Sequence, residues 1–121
     1  DGLDVPPNSR FRAEAQASAL AASGPPPRKT RALPVRFGTG PALFSAMTGN
    51  LSESGLFVVT LVPFDPGTGL SVHIDLDTGP LGLRGKVVWT RQRVVLGRPV
   101  GMGVQLIAPP EPYREFVVEL P

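Results

Sequence analysis

Cysteine is absent from the 121 residues, which excludes disulfides, thiolate metal sites and a cysteine nucleophile at once. Histidine, tryptophan and tyrosine occur once each, so His73 has no second imidazole with which to hold a metal. No apolar run reaches the ~18 residues that a membrane helix needs, and no membrane insertion is expected. Net charge is scant too. A formal +2 is little for a binder of nucleic-acid polymers, but the basic residues are clumped. Arg28, Lys29, Arg31 and Arg36 form one cluster, and Arg84, Lys86, Arg91, Arg93 and Arg98 another. Such clumps suit a small anionic ligand or an acidic partner surface.

Turn formers are plentiful instead. The 14 glycines and 15 prolines argue against a helical bundle and for short strands with tight connections. The length is that of one domain with a single core. Asp1 opens the sequence, which therefore reads as a piece of a longer protein, and the missing signal peptide carries no information.

Along the chain, residues 1–27 read as a flexible N-terminal segment. Its Ala-rich stretch 10–23 favours helix, with a thin apolar face of Phe11 and Leu20, and Gly24 followed by three prolines stops it. A domain is expected over 28–121. Leu33, Val35 and Phe37 alternate in a first strand over 31–37, with Pro34 marking an edge or bulge. Residues 42–48 form a second strand. A polar turn, Thr48-Gly49-Asn50-Leu51-Ser52-Glu53-Ser54, then leads into a third over 55–62. The fourth strand is the cleanest: Leu70, Val72, Ile74 and Leu76 alternate with Ser71, His73, Asp75 and Asp77. A fifth runs over 81–95 with Trp89 on its inward face, and Met102, Val104 and Leu106 lie on a sixth. The period then changes. Tyr113, Phe116, Val117 and Leu120 share one helix face, with Pro112 and Glu111 suited to the first turn. Six short strands with close turns predict a mainly β fold, a six-stranded antiparallel barrel with a short C-terminal α-helix.

Asn50-x-Ser52-x-x-Gly55 resembles the (D/N)xSxxG half of the PilZ-domain signature, and the likeness extends from about Arg28 to Leu120. The Gly101-Met102-Gly103-Val104 run after Val87-Val88-Trp89 is similar to the late strands of that family as well. The resemblance implies a PilZ-like barrel acting as a non-enzymatic, cytoplasmic receptor or adaptor in bacterial signalling, with cyclic di-GMP as candidate ligand, a protein partner and no cofactor. It also implies a ligand site in which Asn50, Ser52 and Gly55 read guanine while Arg28, Arg31 and Arg36 take phosphates. The other half of the signature, RxxxR, has no match here. Arg28 and Arg31 are three apart, Arg31 and Arg36 five, and Pro27 stands four before Arg31. Lys29 offers charge without the planar fork of a guanidinium. Cyclic di-GMP binding is therefore expected to be weak or absent at low micromolar concentration, and the alternative is a degenerate domain acting through protein contacts alone. The remaining candidates read as ordinary surface: His73 on a polar strand face, the Asp75/Asp77 pair without a nucleophile, and Arg84 and Lys86 on an outer strand face.

Overall fold

Alternation decides most of the strands. The computed structural model describes residues 27–121, and the expected N-terminal segment with its 10–23 helix lies outside them. Seven strands are found there: β1 (Lys29–Thr30), β2 (Pro34–Gly38), β3 (Phe44–Ser52), β4 (Gly55–Val59), β5 (Gly69–Leu76), β6 (Gly79–Arg91) and β7 (Gly101–Leu106). One helix, α1 (Glu111–Glu119), follows. The sheet order is β1-β3-β2-β5-β6-β7-β4, with β3 pairing β4 to close six antiparallel strands into a barrel. The two-residue β1 is added beside the far half of β3. The expected barrel is thus present with one short strand more.

Val35 and Phe37 of β2, Val72 and Ile74 of β5, Val87 of β6 and Met102 and Val104 of β7 fill the interior. Tyr113 and Val117 of α1 and Leu120 just after it seal the core, and Phe116 packs against it as well. This helix face matches the spacing in the sequence. Pro110 is the N-cap residue, a proline lies in the first turn, and Glu111 stands at the positive end of the dipole.

Several boundaries differ from the sequence reading: the first expected strand begins at Pro34 and the second at Phe44, and three further differences bear on the site. The polar stretch from Thr48 to Ser52 belongs to β3, because an irregularity between Thr48 and Asn50 absorbs Gly49 and lets the strand run on. The turn itself is only Glu53 and Ser54. The third strand stops at Val59, leaving Leu61 and Val62 exposed. The fifth stops at Arg91, and residues 92–100 form a loop whose tip is a tight turn at Leu96 and Gly97, both with positive φ. A correction concerns Trp89. The register of β6 on β7 shifts between Val87 and Trp89, so the ring lies on the outer face and not in the core.

A candidate ligand site on the barrel wall

The outer face of β3, β4, β7 and β6 carries the site. Phe57 and Trp89 both stand opposite Gly103 in the register, and their rings stack with centroids 5.2 Å apart. Glycine is what allows this. A Cβ at Gly103 would collide with the Trp89 indole, and one at Gly101 with the Phe57 ring, so the alternate glycines of β7 leave room for two aromatics to lie flat. The Arg91 guanidinium sits over both rings, 5.0 Å from the Trp89 centroid and 5.2 Å from that of Phe57. Its Nη1 donates to the Pro99 carbonyl at 3.0 Å. Cation and rings together make a flat, rigid deck.

β1 brings the second component. Thr30 pairs with Asn50, and strand alternation sends Arg28 to the same face as Thr30. Arg28 Nη1 donates to Asn50 Oδ1 at 2.6 Å. Thr48 secures the approach of this segment, since its Oγ1 donates to the Arg31 carbonyl at 2.7 Å and accepts the Leu33 amide at 2.9 Å. Arg28, Asn50, Trp89, Arg91 and Arg98 thereby line one cavity of about 390 Å³, whose described lining includes no acidic residue. Desolvation lowers the pKa of Arg91, and the charge of Arg98 lowers it further. Desolvation also lowers Arg28 where its guanidinium meets the barrel. Arg28 and Arg91 both remain cationic near neutrality. An anion entering here meets convergent guanidinium groups, and a planar base meets an aromatic and guanidinium deck.

The other residues singled out in the sequence stand elsewhere. Ser52 is buried, and its Oγ accepts the Gly55 amide at 3.1 Å across the two-residue turn. A Cβ on Gly55 would lie 2.6 Å from the Val104 carbonyl oxygen, so β7 passes too close for any other residue. The Tyr113 hydroxyl is shared between the carbonyls of Ser52 at 2.8 Å and Gly55 at 3.1 Å, and burial pushes its pKa well up. Ser52 and Gly55 thus shape the hairpin that carries Asn50. Arg31 Nη2 donates to both carboxylate oxygens of Asp77, at 2.8 and 2.9 Å. Arg36 is exposed on β2, opposite Ser45 and His73. Lys29 faces the other way from Arg28, its Nζ donating to the carbonyls of Val117, Val118 and Leu120 at the end of α1. Among the described residues no cluster of His, Asp or Glu fits a metal, and no helix is long and apolar enough to cross a membrane.

Trp89, Arg91 and Arg98 were not among the site residues read from the sequence. Their signal was present in part: glycines at 101 and 103 on an otherwise apolar strand announce large side chains lying across it.

The comparisons agree with this architecture. The family model for the PilZ domain matches residues 27–120. Among solved structures, the inhibitor of motility from Bacillus subtilis (MotI/DgrA) is similar, with a TM-score of 0.62 and 15% identity over 75% of this chain and 46% of that one. The chain therefore spans about half the length of that protein. The PilZ domain of CeSA from a cellulose-synthesizing bacterium is similar with a TM-score of 0.51 and 21% identity, over 76% of this chain and 90% of that one. At these identities the likeness speaks for the fold. No curated protein matches the chain.

Proposed function

Because the chain belongs to the PilZ domain family, we propose that it is a non-enzymatic regulatory domain that binds cyclic di-GMP in the cavity between Arg28 and Arg91. The observation that carries the reading is the Arg28–Asn50 hydrogen bond at 2.6 Å, within a cavity also lined by Trp89, Arg91 and Arg98. The turn half of the signature and the basic segment before the barrel, separate in the sequence, meet at that bond. Cyclic di-GMP has two phosphates for guanidinium groups and two guanines for the deck. A guanidinium also matches the O6/N7 edge of guanine, and the Asn50 amide has both a donor and an acceptor. Arg28 takes the place that the signature gives to an arginine one residue earlier, while Arg31 is engaged by Asp77 and gives the ligand no second clamp from this segment.

Binding is accordingly weak. A charge-assisted hydrogen bond contributes about 1.5–3 kcal/mol, roughly ten- to a hundredfold in affinity. Calorimetric titration with cyclic di-GMP should show little saturation at low micromolar concentration, and Pro27→Arg should strengthen binding by about tenfold or more. Adding Asn50→Ala to Pro27→Arg should reverse the gain. No binding by either chain at millimolar nucleotide would overturn the nucleotide reading. The second reading, a PilZ domain that works through protein contacts alone, then stands, and the apolar groove at Leu61, Val62 and Val94 is the observation in its favour.

A further inference from the structure

The two ends of the barrel differ in chemistry. β4 and β7 run antiparallel, with Gly55 opposite Gln105 and Val59 opposite Gly101. The Glu53–Ser54 turn and α1 therefore lie at one end, and residues 60–62 and 92–100 at the other. At this second end Leu61 is 87% and Leu96 94% exposed, and Val62, Val94 and Val95 are exposed as well. A groove of about 540 Å³ opens there between Phe44, Leu61, Val62 and Val94. The 92–100 loop carries Arg93 and Arg98 and no acid. Leu96 adopts φ 51°, a left-handed conformation that disfavours a leucine and suits Asn or Gly. Leucine at a solvent-facing tip in that conformation stabilises nothing inside the barrel. The first end is mainly acidic: Glu53, Glu111, Glu115 and Glu119 surround Val118 in a shallow cavity of about 220 Å³, with Arg114 as its one cation, paired with Glu111, and Val118 is 56% exposed.

From this complementarity we infer that the protein associates head to tail with a second copy of itself. The Leu96 tip of one barrel seats against Val118 on the next, and Arg93 and Arg98 face Glu115 and Glu119. The two surfaces are different and lie at opposite ends, so the contact is heterologous and extends to further copies. It does not close as a twofold dimer. Each patch is small, so association is weak, with midpoints on the order of 0.1–1 mM, and it weakens with salt because the flanking charges are exposed. Arg98 also lines the candidate nucleotide cavity, but Arg93, Leu96 and Val118 stand outside it, and the inference stands whether or not cyclic di-GMP binds.

Sedimentation velocity of the full chain over a concentration series tests it. The mass should climb past that of a dimer at low salt and fall back with added salt. Leu96→Asn should raise Tm, because Asn suits the turn, yet weaken association at least tenfold. Arg93→Glu/Arg98→Glu and Glu115→Arg/Glu119→Arg should each be monomeric alone and associate when mixed. A chain that stays monomeric throughout at low salt overturns the inference. So does association that stops at a dimer, or one that Leu96→Asn leaves unchanged. A partner of another kind would give the first of these results.

Discussion

Asn50 and Ser52 lie two residues apart on β3, yet they serve the site at different removes. Asn50 accepts from Arg28 at the cavity wall. Ser52 is buried, its hydroxyl on the Gly55 amide and its carbonyl on Tyr113. Gly55 is likewise fixed by the passing Val104 carbonyl. The spacing N-x-S-x-x-G thus joins one residue at the cavity wall with two that shape the hairpin presenting it. Such a pattern can hold the hairpin in place whatever residues stand at positions 27 and 28.

Substitutions separate the two roles. Gly55→Val should have the largest effect, about 1–3 kcal/mol or more of stability, because a backbone oxygen cannot yield as a side chain can. Chemical denaturation reads it, and any nucleotide affinity should fall only with the folded fraction. If Gly55→Val keeps full stability, the close approach of β7 is misplaced. Tyr113→Phe comes next, at about 1–2 kcal/mol for two buried carbonyls that lose a donor. It carries a pH signature as well. The folded phenol holds its proton above its ordinary pKa, so the unfolded chain releases a proton first and stability falls as pH rises above about 10. Tyr113→Phe should lack this phenol's contribution to the alkaline loss, and equal alkaline slopes for the two chains would contradict it.

Arg31→Ala should matter least. Its pair with Asp77 is solvent-exposed and worth about 0–1 kcal/mol, and nucleotide affinity should not change. A loss of affinity comparable with that of Arg28→Ala would put Arg31 in the site after all and merge the two groups of residues that the structure separates.

Much of the barrel was legible because several strands alternate without interruption. Leu70, Val72, Ile74 and Leu76 declare their face directly, and the Tyr113–Val117–Leu120 stripe declares the helix. The failures fall at irregularities. The shift between Val87 and Trp89 reverses the face of every residue after it, so counting by two put Trp89 inside. The irregularity at Gly49 lengthened β3 through what read as a turn. Counting is also silent on how the arginines are placed. Proximity of Arg28 to Asn50 follows from the pairing of β1 with β3, which linear spacing to Arg31 does not report. Arg98 reaches the cavity from a loop whose path depends on the turn at Leu96 and Gly97, and Arg91 from the end of β6 beyond the register shift, and no local pattern marks either as lining it.

Trp89 is the sole tryptophan of the chain and lines the cavity beside Asn50 and Arg91, so the fluorescence of the folded chain reports on the site. Titrating cyclic di-GMP into the wild type and into Arg28→Ala is therefore the most direct test of the central claim. The wild-type signal should change and saturate at high nucleotide concentration, and Arg28→Ala should shift the midpoint about ten- to a hundredfold higher without altering Tm. Saturable binding detected by heat while Trp89 fluorescence stays constant would contradict the account, and so would a midpoint indifferent to Arg28.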